Sequence, residues 1–153
     1  MPGEHLETRV APGIQAGAGP ASDGCALFTD LYELTMLEAY VREDMMDDAV
    51  FSLFVRRLPP ERNYLLACGL DTVLTYLENL HFGREDVAYL RSLGKFSERF
   101  LAWLAGFRFT GEVCAVPEGT PVFANEPIIE VIAPLPQGQL IETLVMNQVH
   151  LQT

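Results

Sequence analysis

The stretch EVCAVPEGTPVFANEPIIEVIA (residues 112–133) decides the fold class, because the chain changes there from helical to strand patterning. Dense β-branched residues predict three short strands, and the turn-forming sequences PEGT and NE separate them. The strands are predicted at 112–116, 121–124 and 127–133. Because several helical patterns precede these consecutive strands, we predict an α+β domain of helices plus an antiparallel sheet.

The rest of the chain is mainly helical in pattern. Asp30 followed by Glu33 has the spacing of a capping box. A core stripe follows at helical intervals, formed by Leu31, Leu34, Leu37 or Glu38, and Val41. An additional strand is predicted at 49–56. Pro134, Pro136 and Gly138 predict a stiff loop. The helices are predicted at about 30–43, 69–80, 84–93, 97–105 and 140–153.

The length sets the number of domains. A chain of 153 residues is about one domain, too short for a complete α/β barrel (about 250 residues) with an extra domain. Residues 1–24 are rich in Gly, Ala and Pro without apolar periodicity, so we predict a disordered leader followed by an ordered domain at 25–153. No stop signal follows the helical pattern at 140–153. We therefore expect the chain to end within a helix, as a fragment does.

The charge excludes one class of partner. Ten basic and 21 acidic residues give a net charge of −11, so a chain-wide basic surface for nucleic acid or an anionic membrane is not expected. No uncharged stretch approaches the roughly 20 residues of a membrane span. Together with the lack of a secretory signal pattern, this predicts a cytoplasmic protein.

Metal and thiol chemistry are not indicated. The three cysteines match no zinc or redox spacing, and we expect free, buried thiols in a reducing compartment. The three histidines are scattered, so no metal site is predicted. These residues are Cys25, Cys68, Cys114, His5, His81 and His150.

Two clusters each allow a structural and a functional interpretation. At the predicted helix start, Asp30 is a good N-cap and Tyr32 could be an edge aromatic, but a helix N-terminus also suits an anion and a Tyr ring can stack on a flat ligand. Arg56, Arg57 and Arg62 surround the Pro59-Pro60 turn. They suit either a solvated strand end or a phosphate group.

Four ordered motifs resemble the nicotinate phosphoribosyltransferase family over about residues 27–153. They are TDLYELTMLEAY (29–40), FSLFVRRLPPERNYLLACGLDTVLTYLE (51–78), VPEGTPVFANEPIIEV (116–131) and QLIETLVMNQVHLQT (139–153). The resemblance implies the joining of nicotinate to phosphoribosyl pyrophosphate, with ATP hydrolysis through a phosphohistidine and Mg²⁺ on the pyrophosphate. It also implies the N-terminal α/β domain of a type II phosphoribosyltransferase without its C-terminal α/β barrel, and a homodimer with the active site at its interface.

The resemblance also implies roles for individual residues. Tyr32 would stack on nicotinate and Asp30 would lie on the same side, whereas Arg56, with Arg57 as its alternative, would contact the phosphates of the donor. Gly119 and Thr120 would form a hairpin turn and Glu142 a buried helix contact; these three are expected to be structural. No catalytic residue, and no residue for Mg²⁺ or ATP, is identifiable in this chain. We therefore expect the isolated chain to be inactive.

The sequence also allows two alternatives from other functional classes. A stand-alone ligand-binding or regulatory module could have kept this domain and lost the barrel, although such a module should have acquired a capped or polar end to its last helix. A lipoyl-type carrier would need a lysine at a hairpin tip. Lys95 is the single lysine and lies between predicted helices, so the carrier interpretation is set aside.

Overall fold

The computed structural model describes residues 25–153, so the predicted leader lies outside the described residues. A short 3-10 turn at Cys25–Leu27 opens this part of the chain. The helices are α1 (Leu31–Arg42), α2 (Leu70–Asn79), α3 (Arg84–Ser92), α4 (Glu98–Ala105), α5 (Leu135–Leu140) and α6 (Glu142–Gln152). The strands are β1 (Asp48–Phe54), β2 (Leu65–Leu66), β3 (Glu112–Ala115), β4 (Pro121–Val122) and β5 (Pro127–Pro134). The predicted α+β class is confirmed.

The main sheet has three antiparallel strands in the order β1-β5-β3. Phe51 lies opposite Val131 and Leu53 opposite Ile129, whereas Val50 lies opposite Ile132 on the other face. Ile129 and Val131 are buried and Val50 is exposed. Because successive side chains of a strand point to opposite faces, one face of the sheet packs on the helices and the other faces outward.

The predicted turn at Gly119 and Thr120 is present, but it does not make a hairpin. Thr120 N donates to Pro117 O at 3.1 Å, and Gly119 has a φ of 78°, which glycine adopts without strain. The turn leads from β3 in the main sheet to β4, which pairs with β2 in a separate two-stranded sheet. The hairpin prediction was therefore wrong about the pairing of the strands it joins.

The helices form a layer whose apolar sides share one core with the inner face of the sheet. Contacts join α1 to α4 and α5, α3 to α4, and α2 to α6. The largest fully buried apolar side chains come from α1, α3, α4, β5, α5 and the residue after it: Leu37, Leu90, Phe100, Leu101, Leu104, Ile129, Leu140 and Ile141. The apolar sides of α1 and α6 both pack into this core.

The predicted loop at Pro134, Pro136 and Gly138 was wrong, because residues 135–140 form α5. Proline is tolerated in the first turn of a helix, where its missing N–H has no intrahelical partner to lose. Gly138 is needed for packing: a methyl group placed on it would overlap the ring of Phe51. The Pro-Gly sequence therefore serves a short helix that lies directly on β1.

The last helix, α6, is bonded at its end to the loop before α2. Thr153 Oγ1 accepts from Cys68 N at 3.1 Å and donates to Cys68 O at 3.2 Å. Cys68 and Cys114 are free and half-buried, while the side chain of Cys25 lies outside the described part. Within residues 25–153, no helix combines the length and the apolar character that crossing a membrane would require.

Candidate functional site

The first turn of α1 is built by the predicted capping box. Asp30 is the N-cap in extended conformation, and Glu33 is the third helical residue. The Glu33 carboxylate accepts from Asp30 N at 3.2 Å through Oε2. Helical hydrogen bonding leaves the first N–H groups of a helix without partners, and this arrangement provides one for the N-cap. The local sequence thus sets where α1 begins, and with it the position of Tyr32 in the first turn of the helix.

Glu33 is also a core residue, which the predicted apolar stripe did not include. Its side chain is 0 % exposed, whereas Leu31, predicted to be in the stripe, is 49 % exposed. Glu33 precedes the buried Leu37 by four residues, so the two lie on the same side of the helix. That spacing is the signal in the sequence that could have identified Glu33.

A threonine from α6 completes the surroundings of this buried carboxylate. Thr143 Oγ1 donates to Glu33 Oε2 at 3.0 Å and lies 3.5 Å from Asp30 Oδ2. Thr29 Oγ1 also donates to Glu33 Oε2. A buried carboxylate is costly unless hydrogen bonds compensate it, and here one oxygen receives three donors. The contact between Glu33 and Thr143 joins the first turns of α1 and α6.

Tyr32 lies beside this hydrogen-bond network, and its ring is exposed to solvent. The side chain is 52 % exposed. Partial desolvation raises the pKa of the Tyr32 phenol, and the nearby carboxylates of Glu142, Glu33 and Asp30 raise it further because they oppose a phenolate. Tyr32 and Asp30, predicted to lie on one side, are thus brought together, at a face of negative charge.

Glu142 does not make the buried contact that was predicted. It is exposed in the first turn of α6, where Gln139 Nε2 donates to its Oε2 at 2.7 Å. The physical reason is the position of α5, which places Gln139 on the inner side and leaves Glu142 facing outward. The buried acid of this region is Glu33, and Glu142 instead contributes negative charge near Tyr32.

The arginine cluster follows the end of β1. Arg56, Arg57 and Arg62 are exposed, and Arg62 N donates to Pro59 O at 2.9 Å within the predicted turn. Among the described residues, the ion pairs involve other side chains, and Arg56 and Arg57 have no side-chain hydrogen bond. As far as residues 25–153 are concerned, their guanidinium groups are therefore free for an external anion.

The two clusters lie on different elements of the fold, Tyr32 on α1 and the two arginines after β1. β1 starts opposite Pro134 and ends opposite Pro127, so Arg56 and Arg57 follow the end of β1 that is remote from the start of α5. No hydrogen bond or ion pair of the described residues connects them with Tyr32 or Asp30. Within residues 25–153, three or more acidic, His or Cys side chains do not converge on one metal position.

The sequence matches a known family model over most of its length. Residues 27–150 match the nicotinate phosphoribosyltransferase (NAPRTase) N-terminal domain. The chain belongs to the nicotinate phosphoribosyltransferase family.

Relatives of the NAPRTase family share the sequence and the fold of this chain. A nicotinate phosphoribosyltransferase of Mycobacterium tuberculosis is 56% identical over 128 residues, which are 84% of this chain and 28% of the relative. One from Bacillus subtilis is 43% identical over 136 residues, or 88% of this chain and 28% of the relative. The crystal structure of human nicotinic acid phosphoribosyltransferase matches with a TM-score of 0.73 and 34% identity, covering 80% of this chain and 25% of that one.

A more distant structure shares the fold alone. Nicotinate-nucleotide pyrophosphorylase from Pyrococcus furiosus matches with a TM-score of 0.61 at 15% identity, over 92% of this chain and 28% of that one. The chain thus spans about a quarter of the length of its NAPRTase relatives and matches their N-terminal domain.

Proposed function

We propose that this chain forms the nicotinate-facing part of a nicotinate phosphoribosyltransferase, which joins nicotinate to phosphoribosyl pyrophosphate and releases nicotinate mononucleotide and pyrophosphate. The observation that carries the proposal is the exposed Tyr32 ring, which stands on a helix turn held by a buried carboxylate. This turn lies in the region that matches the NAPRTase N-terminal domain. Its exposure and fixed base suit Tyr32 to stack on a flat pyridine ring.

The charges around Tyr32 give the bound ring an orientation. Asp30 and Glu142 are exposed carboxylates near the phenol. They repel the carboxylate of nicotinate, which therefore points away from them. The ring nitrogen gains positive charge when the ribosyl group is attached, so the same carboxylates favour the nitrogen on their side. Tyr32 and Asp30 thus bind and orient the nucleophile without transferring a proton.

Arg56 and Arg57 serve the donor side of the proposed reaction. Departure of pyrophosphate leaves an oxocarbenium-like ribosyl centre, and the leaving group needs its negative charge neutralised. Arginine binds phosphate oxygens in pairs with a rigid fork of N–H donors. The support for this role is that both side chains are exposed and free of described partners.

The other groups that the reaction needs would come from the part of the enzyme that corresponds to the unmatched three quarters of its relatives. ATP coupling through a phosphohistidine, Mg²⁺ on the pyrophosphate, a homodimer and a cytoplasmic location all belong to this proposal. Because the chain spans 28% of its Mycobacterium tuberculosis relative, we expect radiolabelled nicotinate to give no product with purified 1–153. Product formed by this chain alone would contradict the expectation.

The stand-alone module alternative predicts the same lack of turnover, so a second measurement separates the two. The C-terminal portion of a nicotinate phosphoribosyltransferase relative is added in trans to the chain. The enzyme proposal expects nicotinate mononucleotide to form, with phosphoribosyl pyrophosphate, ATP and Mg²⁺ present. A module that had lost its barrel interface would bind nicotinate and give no product.

The direct test is a tyrosine substitution with a matched control. Tyr32→Ala should weaken nicotinate binding by 1–153 about tenfold, since stacking on an aromatic ring contributes about 1–3 kcal/mol for a flat base, whereas Tyr32→Phe should retain most of it. Tyr89, 56 % exposed on α3, provides the control Tyr89→Ala. Dissociation constants come from ligand-observed NMR. Equal nicotinate affinity for Tyr32→Ala and the wild-type chain would refute the proposal.

A further inference from the structure

We infer that Glu33 is a positioning residue for nicotinate: through its buried contact with Thr143, it fixes the turn that carries Tyr32 against the start of α6. This inference rests on the proposed function and deepens it. Glu33 is 0 % exposed, so it does not touch the ligand itself. Its effect passes through Tyr32, the preceding residue in the chain.

The burial of Glu33 calls for a role beyond beginning a helix. An N-cap can be completed by an exposed acid, because the backbone groups concerned lie at the helix end. Glu33 is instead enclosed, and its Oε1 has no hydrogen-bond partner in the described part of the chain. A buried polar atom without a partner costs free energy. Capping alone does not require burial, whereas an Oε2 atom that accepts from both the start of α1 and Thr143 of α6 must lie between the two helices.

The contacts on Oε2 show which parts are linked. Thr29 Oγ1 and Asp30 N belong to the start of α1 itself, but Thr143 Oγ1 comes from 110 positions further along the chain, at 3.0 Å. A hydroxyl donates one proton, and the 3.0 Å bond to Glu33 is better than the 3.5 Å approach to Asp30 Oδ2. The Glu33–Thr143 contact is therefore the hydrogen bond that sets the separation of the two turns.

The consequence for Tyr32 is electrostatic as well as geometric. Glu142 precedes Thr143 and raises the pKa of the Tyr32 phenol from the α6 side, while Glu33 and Asp30 act from α1. Loss of the Glu33–Thr143 hydrogen bond should let the first turn of α6, with Glu142, shift relative to the phenol. The titration of Tyr32 then reports the position of the turn independently of any ligand.

The experiment removes the hydroxyl of Thr143 without changing any charge. Chain 1–153 with Thr143→Val is compared with Thr143→Ser, which restores a hydroxyl, and with Thr75→Val, the same chemical change at an exposed position on α2. Tyr32 is titrated by NMR of ring-labelled tyrosine, with circular dichroism checking the fold at each pH. Nicotinate affinity is measured on the same samples.

We expect Thr143→Val to lower the pKa of Tyr32 toward its ordinary value of 10.0 and to weaken nicotinate binding about three- to tenfold. Thr143→Ser should recover both properties, and Thr75→Val should change neither. Glu33→Gln is the second variant, because its amide oxygen can still accept the hydrogen bond from Thr143 Oγ1. This variant should keep most of the nicotinate affinity. It tests the positioning role even if the apolar variant Glu33→Leu fails to fold.

Three results would separate the possible failures. An unchanged Tyr32 titration in Thr143→Val would overturn the positioning role. A shifted titration with unchanged nicotinate affinity, in a chain where Tyr32→Ala does weaken binding, would overturn its link to the ligand. If Tyr32→Ala also leaves affinity unchanged, the proposed function has failed, and the Tyr32 titration alone decides whether Glu33 positions the turn.

Discussion

The two clusters attributed to substrates are built in opposite ways. Tyr32 stands on a turn whose acid, Glu33, is fully buried and bonded to another helix. Arg56 and Arg57 follow the end of β1, before the Pro59-Pro60 turn, and have no ion pair to a described residue. A side chain that is fixed before binding loses little further entropy when a ligand arrives, whereas a free arginine pays that cost on binding.

The difference suits the two ligands that are proposed. A rigid pyridine ring gains from a surface that is already in place, because small displacements weaken stacking and orientation. Pyrophosphate is flexible and highly charged, so long guanidinium side chains can adapt to it. It follows that substitutions around Tyr32 should change stability and binding together. Substitutions of the arginines should change binding alone.

The largest expected effect is on the packing that supports the Tyr32 side. A methyl group on Gly138 would overlap the ring of Phe51, so Gly138→Ala should force α5 away from β1. Overpacking of this kind costs about 1–3 kcal/mol, and we expect a fall in Tm of roughly 5 °C or more. Thermal unfolding followed by circular dichroism measures it.

The control for Gly138→Ala is Gly106→Ala. A methyl group on Gly106 meets only backbone oxygens at 3.7 Å and 3.8 Å, which is ordinary contact. Its unfolding temperature should remain close to that of the wild-type chain. Phe51→Leu combined with Gly138→Ala should recover part of the loss. Wild-type stability for Gly138→Ala would mean that α5 does not depend on this close approach.

The sequence predicted the parts of these regions that depend on near neighbours in the chain. The capping box of Asp30 and Glu33 is present because its residues are three apart. The Glu33–Thr143 contact joins residues 110 positions apart, and no local pattern indicates it. Likewise, Pro136 and Gly138 predict a loop when the sequence is considered alone. The reason for a glycine in this helix is the ring of Phe51 in β1, which is distant in sequence.

The arginine side should respond in binding without a change in stability. Arg56→Gln and Arg57→Gln should leave the free energy of unfolding within about 0.5 kcal/mol, as is usual for exposed residues without buried contacts. Affinity for inorganic pyrophosphate should fall several-fold for each variant, because charged hydrogen bonds are lost. Calorimetric titration and urea unfolding measure the two properties.

Arg84→Gln serves as the control for the loss of one positive charge, since Arg84 is exposed at the start of α3. It should bind pyrophosphate as the wild-type chain does. If all three variants weaken binding equally, the effect comes from net charge and not from a site at the end of β1. A large loss of stability in Arg56→Gln would show that this side is fixed after all.

The smallest effect should come from Glu98, an acid whose ion pair is exposed to solvent, in contrast to the buried Glu33. Arg91 contacts both carboxylate oxygens of Glu98, each at 2.9 Å, and both side chains are largely exposed. This hydrogen bond lowers the pKa of Glu98 below its ordinary value of 4.5. Exposed pairs contribute little because water and salt screen them, so Glu98→Gln should lower the Tm by about 2 °C or less.

The pH dependence gives this prediction its sign. Because the pKa of Glu98 is lower in the folded state, the pair stabilises the fold above about pH 4.5, and its contribution disappears as the pH falls through the lowered folded pKa. The Tm difference between Glu98→Gln and the wild-type chain should therefore vanish in acid, and also in about 1 M salt. A difference that persists in both conditions would mean that Glu98, like Glu33, is held by contacts that solvent does not reach.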